Sequence, residues 1–270
     1  MNSHTFQLTS TPNMNQFLDL VAQLRNPEGG CPWDLSQNFD TMLPHLLEET
    51  YEVAEAIHTQ NRTALREELG DLLLQVVFLS QLAKEEGSFD FNDVLTDIYN
   101  KLIYRHPHVF GDKKATNSEE ALKTWEEQKA NDEKHQAHDS ILDDLPFALP
   151  ALTRAQKLQK RCAKVGFDWN DPEAVFDKVE EELREVSDEM AQLPVHTQKL
   201  EEELGDLLFA SVNLCRHYHI DAEGCLRIAN AKFERRFRCV EQLVKAQHKQ
   251  LSDCALSELD ELWNKIKSCE

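Results

Sequence analysis

The seven residues EELGDLL stand at 67–73 and again, unchanged, at 202–208, a displacement of half the 270-residue chain. An internal repeat on that scale constrains the fold before any other reading, because one supersecondary unit must be built twice. The match extends beyond the heptapeptide. With Glu49 set against Glu182 and Asp71 against Asp206, Trp33 falls near Trp169, Lys101 near Lys232, Arg105 near Arg236 and Trp125 near Trp263. So many features in one order predict tandem homologous domains. We expect residues 1–128 to form the first domain, 129–150 to link and 151–270 to form the second, both of ordinary domain size. The expected linker begins polar and is punctuated by Pro146 and Pro150.

Gly (8) and Pro (9) are scarce, and the apolar residues recur with helical rather than alternating spacing. Helices are predicted over 14–26, 41–59, 63–86, 93–105, around Trp125, after the Trp-containing turn in GFDWNDPEAVFDKVEEELREVSDEM, over 198–218 and over 222–248. Pro27, Gly29, Gly30 and Pro32 break the first, and Asp90 or Asn92 caps the fourth. The fold class is therefore all-α, two tandem helical bundles. Segment 63–86 is apolar over more than half of its surface, which places it centrally and predicts that the chain dimerises into four-helix-bundle-type cores.

The formal net charge of −20 argues against nucleic-acid binding, since phosphate backbones are held by clustered Lys and Arg. The cations are concentrated in the second half. Seven cysteines, an odd number without a C-x-x-C pair, suit reduced thiols. No basic segment followed by an apolar one opens the chain, and DLLLQVVFLSQLA is too short to span a bilayer. We expect a cytoplasmic protein that does not enter membranes.

Two E-x-x-E/D pairs per copy carry the chemistry. Glu182 and Glu185 lie three apart on one predicted helix, and Glu203 and Asp206 three apart on the next. Residues at that spacing share a helix face, so two facing helices converge four carboxylates. The first copy offers Glu49, Glu52, Glu68 and Asp71. An exposed acidic face needs no ligand, but acids embedded in an apolar helix are costly to desolvate and require a positive partner. A ferritin-like di-iron centre would use Glu-x-x-His, and no His stands at the fourth position of these pairs. An all-oxygen site suits Mg²⁺ or Mn²⁺. Lys232 and Arg236, at i and i+4 with Arg235 beside them, suit phosphate oxygens.

Glu181, Glu182 and Glu185 followed by Glu203 and Asp206, with GCPWD, LEETYEV, RHPHVF, QKRCAKVGFDW and KFERRF, closely resemble the MazG nucleoside triphosphate pyrophosphohydrolases over nearly the whole chain. The resemblance implies an all-α, Mg²⁺-dependent homodimer that hydrolyses nucleoside triphosphates to the monophosphate and pyrophosphate. It implies that Glu182, Glu185, Glu203 and Asp206 hold metal. Lys178, Glu181, Lys199, Glu202, Lys232, Arg235, Arg236 and Trp263 would then line the nucleotide site. Glu181, Glu182 and Glu202 are the catalytic candidates, with Glu181 or Glu202 orienting or deprotonating the water. In the first copy His45, Ala64 and Tyr104 replace Lys178, Lys199 and Arg235, so Glu49, Glu52, Glu68 and Asp71 form a second, weaker site in a structural or regulatory domain. The alternatives are a nucleotide-binding regulator without turnover, a narrower relative such as a dUTP pyrophosphatase, or a purely structural scaffold.

Overall fold

The computed structural model describes residue 8 and residues 11–131, 139–169 and 171–269. Residues 1–7, read above for a leader, and 132–138 of the expected linker lie outside them. The chain divides into two compact units, 1–136 and 137–270, and every regular element among the described residues is helical.

The first unit contains α1 (Met14–Leu24), α2 (Pro32–Ser36), α3 (Phe39–His58), α4 (Arg62–Glu86), α5 (Phe91–Arg105), α6 (Pro107–Phe110) and α7 (Ser118–Ala130). Local chemistry sets the starts. Asn13 with Gln16, Asn38 with Thr41 and Asp90 with Asp93 form reciprocal caps, and Asn61 accepts from the first amides of α4. Asp90, not Asn92, is thus the cap of α5. Gly87 ends α4 in the left-handed region at φ +78°, which glycine adopts without a Cβ penalty. The most extensive packing is α3 on α4, and α1 and α5 also pack on α4, so α4 is central as its pattern predicts. Val21, Met42, Val77, Phe78 and Leu82 are the buried core. The segment around Trp125 is α7, which packs on α5 and α6. Its indole receives Arg105 at 5.3 Å and Lys129 at 5.5 Å.

The second unit repeats the plan with α8 (Ala151–Lys164), α9 (Pro172–Met190), α10 (Thr197–His217), α11 (Ala222–Ala246) and α12 (Leu256–Lys267). Asp171 caps α9 and Pro172 opens it, where a missing N–H costs nothing. Here α9 on α10 is the dominant pair, and α8 crosses α10. Residues 139–150 belong to this unit: Arg161 donates to the carbonyls of Ile141, at 3.0 Å, and Asp143.

The apolar helix faces are only partly covered. Leu43, Leu47 and Tyr51 on α3, Leu69, Leu73 and Val76 on α4, and Leu183, Leu204 and Leu208 in the second unit are all more than a third exposed. No helix among the described residues is long and apolar enough to cross a membrane.

Candidate active site

The packing of α9 on α10 turns the sequence spacing into a cluster. Glu182, Glu185 and Glu203 each place a carboxylate oxygen within 4.8 Å of the others. Glu182 is 5 % exposed. One of its oxygens lies 2.6 Å from Lys178 Nζ, one turn earlier on α9, and Oε2 is buried with no hydrogen-bond partner. Lys178 also donates to Glu181 at 3.0 Å. These two bonds, that to Glu182 foremost, push the Lys178 pKa further up and keep it cationic. Desolvation, then the charges of Glu182 and Glu203, raise the pKa of Glu185. Asp206 is exposed and lines the same cavity as Lys178 and Glu182.

In the first unit, α3 on α4 gathers Glu49, Glu68 and Asp71 within the same 4.8 Å. Glu49 is raised by desolvation and then by Asp71 and Glu52; Glu68 is raised by desolvation and by Glu52, with which it shares a hydrogen bond. His45 stands where Lys178 stands in the second unit. It lies 3.8 Å from Glu48 and edge-on to Trp33 at 5.9 Å between ring centres.

Both clusters fit a hard divalent cation. Their donors are all oxygen, desolvation and then mutual repulsion raise the pKa of Glu49, Glu68 and Glu185, and Glu182 holds a buried oxygen without a partner. One sequence expectation needs correcting. Of the eight acids only Glu182 is buried; Glu49, Glu68 and Glu203 are half-buried and Glu52, Asp71, Glu185 and Asp206 exposed. The leucines around them, Leu69, Leu183, Leu204 and Leu208 among them, are themselves exposed in the single chain, so they shield the acids only in part.

The remaining candidates stand on α10, α11 and α12. Lys199 and Glu202 are exposed on the first two turns of α10, and Lys232 and Arg235 are exposed on α11. Arg236 is half-buried, its guanidinium 5.7 Å over the Trp263 ring, with Phe233 5.2 Å from the same indole. Trp263 thus packs against α11 and braces Arg236.

Sequence reasoning missed a cavity of about 490 Å³ beside the carboxylates, walled by α8, α9, α10 and the turn before α9. Gln159, Asn213 and Arg216 line it along with Phe167, Asp168 and Trp169. A signal existed in the repeat: continuing the register of EELGDLL sets Asn213 against Phe78.

The sequence model of the MazG nucleotide pyrophosphohydrolase domain matches residues 37–110 and 170–240, the two carboxylate hairpins with their following helices. The chain belongs to the MazG family. It is 52 % identical over 257 residues to the nucleoside triphosphate pyrophosphohydrolase of Escherichia coli K12, covering 95 % of this chain and 98 % of that protein. It is 43 % identical over 252 residues to the nucleoside triphosphate pyrophosphohydrolase/pyrophosphatase MazG of Thermotoga maritima, covering 93 % and 94 %. A crystal structure of a MazG-related protein from Thermotoga maritima matches 43 % of this chain and 97 % of its own, at 30 % identity and a TM-score of 0.37. Family membership accounts for the paired helical hairpins in both halves.

Proposed function

We propose that the protein is a Mg²⁺-dependent nucleoside triphosphate pyrophosphohydrolase, yielding the nucleoside monophosphate and pyrophosphate, with turnover at the second unit. The carrying observation is the Glu182–Glu185–Glu203 cluster, with a buried unpartnered Glu182 oxygen beside Lys178. Full-length similarity to proteins named for this reaction supports the reading.

Glu182, Glu185, Glu203 and Asp206 would hold Mg²⁺, or Mn²⁺ in its place. The ion supplies charge neutralisation at the phosphates and eases deprotonation of the attacking water. Lys178, Lys199, Lys232, Arg235 and Arg236 hold phosphate oxygens, and the rigid Arg forks fix their direction. Trp263 keeps Arg236 in place. Glu181 or Glu202 orients the water and takes its proton. Lys178 exchanges Glu181 for a phosphate oxygen as substrate enters, which frees that carboxylate.

A panel of nucleoside triphosphates with product identification tests the reaction. Monophosphate and pyrophosphate are expected, with activity lost in excess chelator. A diphosphate with free phosphate, or full turnover without divalent ions, refutes it.

The enzyme works as a cytoplasmic homodimer in this reading. Leu69, Leu73 and Val76 form an open stripe on α4, and Leu204 and Leu208 are open on α10. A Cβ added at Gly70 or Gly205, inside the repeated heptapeptide, would meet nothing within 4 Å. A mid-helix glycine weakens a helix by about 1 kcal/mol relative to alanine, so its presence in both copies suits close approach by another surface. Light scattering should give twice the mass of 31.2 kDa, and a monomer at micromolar concentration removes the idea.

A further inference from the structure

The carboxylate cluster and the cavity beside it leave a second opening in the second unit unexplained. A groove of about 520 Å³ lies between α8 and the turn that joins α10 to α11, within the roughly 300–1,000 Å³ of pockets that enclose small ligands. Thr153, Gln156, Lys157 and Lys160 line it from one face of α8, at i, i+3, i+4 and i+7, and Arg216, His219, Ile220 and Asp221 line it from the turn. None of the acids or cations proposed above to hold metal or triphosphate takes part.

The groove is cationic in a chain whose formal net charge is −20. In its 14 residues α8 carries Arg154, Lys157, Lys160, Arg161 and Lys164 and no acid, and like charges three or four apart on a helix repel. The two arginines hold the segment before α8: Arg154 lies 5.3 Å from the centre of the Phe147 ring, and Arg161 donates to the carbonyls of Ile141 and Asp143. Lys157 has no such role. It is exposed and forms no hydrogen bond or ion pair among the described residues. Asp221 is the one carboxylate in the lining, and nearby Glu223 is engaged by the Thr153 amide and hydroxyl, each at 3.4 Å. Gln156 fastens the two sides together, donating from Nε2 to the Ile220 carbonyl at 2.7 Å and accepting at Oε1 from the Ala222 amide at 3.1 Å.

The first unit nearly closes the same place. There Leu18, Asp19 and Ala22 of α1, Gln81 and Lys84 of α4, and Asp90, Phe91 and Asn92 at the start of α5 line a space of about 70 Å³. In the register of EELGDLL, Gln81 and Lys84 stand against Arg216 and His219. The helix before the hairpin thus supplies an acid and two apolar residues in one unit and two lysines in the other.

Arg216 lines both the groove and the cavity beside the carboxylates. Its Nη1 donates to Asp168 Oδ2 at 2.9 Å and its Nε to Asn213 Oδ1 at 2.9 Å, and His217 Nε2 lies 3.0 Å from the same aspartate. Asp168 immediately precedes Trp169, so these contacts fasten the turn carrying Trp169 to α10.

We infer that the groove is a second anion site of this unit, taking a small molecule that carries phosphate groups, and that its occupant competes with Asp168 for Arg216 and loosens the turn carrying Trp169. Lys157 and Lys160 supply point charges, and Arg216 a directed fork of N–H donors. A phosphate group brings more charge and more acceptor oxygens than the carboxylate it competes with. The binding stands apart from the reaction proposed above; its effect on turnover rests on that reaction.

Calorimetry on the full chain without divalent ions tests the site, with pyrophosphate and ribose 5-phosphate as probes. Lys157→Glu should weaken the tighter probe by about tenfold, whereas Lys164→Glu, the same charge change on the same helix outside the groove, should leave it within about twofold. Circular dichroism checks folding, and Lys157→Ala, with a loss of about threefold, decides should Lys157→Glu not fold. Equal effects at the two lysines, or none, overturn the site and leave a diffuse cationic surface. Tighter binding of pyrophosphate makes the occupant the released product; tighter binding of ribose 5-phosphate makes it a phosphate monoester from elsewhere. Steady-state turnover with the tighter probe added tests the coupling. The probe should lower kcat by about fivefold in the unsubstituted protein and leave kcat of Lys157→Glu unchanged, while competition at the active site raises KM alike in both. An equal response of kcat in both proteins overturns the coupling through Arg216. Absent hydrolysis refutes the reaction and leaves the binding result to decide the site.

Discussion

In the first unit α3 and α4 bring Glu49, Glu68 and Asp71 within 4.8 Å of one another; in the second α9 and α10 do the same for Glu182, Glu185 and Glu203. What differs is the surroundings. One turn before the leading Glu, the second unit places Lys178 in contact with Glu182, whereas the first places His45, drawn toward Glu48 and Trp33. Beneath the hairpin, the second unit has Asn213 and a cavity where the first has Phe78 in its core. The acid pattern is thus a property of the duplicated hairpin. Lys178 and a cavity distinguish the second unit, and a core that includes Phe78 distinguishes the first.

The most severe way to break this comparison is to remove matched acids. Glu185→Ala or Asp206→Ala should lower NTP turnover by about two to four orders of magnitude, since each loss disturbs metal placement at the reacting phosphorus. Glu52→Ala and Asp71→Ala should leave turnover within about twofold, the range expected for a substitution outside the working site. Steady-state pyrophosphate release checks both, with helical content and oligomeric mass as controls for folding. Comparable losses in well-folded protein would mean that both units catalyse or that one site draws on both.

A smaller effect sharpens the role of the cation. Lys178→Ala removes the partner of a Glu182 that is 5 % exposed, and a buried charge left unpaired is strongly unfavourable. Because the lysine side chain is itself 34 % exposed, solvent takes up part of that loss, and kcat/KM should fall by roughly ten- to a hundredfold. The converse change, His45→Lys, should restore less than about threefold activity in a Glu185→Ala background, since a single added charge is a modest gain. Ala64 and Tyr104 still stand where the second unit has Lys199 and Arg235. Substantial rescue would show that one lysine is the whole difference between the units.

The helices were legible in the sequence because their signals are local: apolar periodicity, the breaks at Pro27, Gly29, Gly30 and Pro32, and the cap at Asp90. The carboxylate clusters were legible because i, i+3 spacing survives any packing that sets the two helices face to face. Burial was not. The apolar neighbours of the acids suggested a dry setting, yet Leu69 and Leu204 are 50 % and 44 % exposed in the single chain. The cavity escaped because Gln159 comes from α8, Trp169 from a turn and Asn213 from α10, and no linear spacing joins them. Only the exchange of Phe78 for Asn213 within the repeat register marked the place.

The smallest expected effect concerns the ionic pairs that brace each unit. In the first, burial alone would raise Glu85, but hydrogen bonds from Arg25 and Gln81 outweigh it and hold the carboxyl below its usual range. In the second, hydrogen bonds from Arg216 and then His217 pull Asp168 below the ordinary 3.8 despite partial desolvation. A carboxyl whose folded pKa is depressed contributes stability that is fully present above its unfolded pKa and is lost as pH falls through the lower folded value. The Asp168 contribution should therefore be constant at neutral pH, begin to fall as pH drops through the ordinary 3.8, and vanish below the depressed value. Asp168→Asn discards it throughout, lowering the melting temperature at neutral pH by about 2–4 °C and making the acid limb of the melting profile shallower. Glu85→Gln should shift the acid limb in the same direction. Because the two pairs brace different units, their effects in the double variant should add. Melting curves from pH 6 to pH 3 on both single variants and the double variant decide the point. An acid limb for Asp168→Asn parallel to that of the unsubstituted protein would show that the Arg216 pair gains nothing on folding, and the turn carrying Trp169 would then owe its position to packing alone.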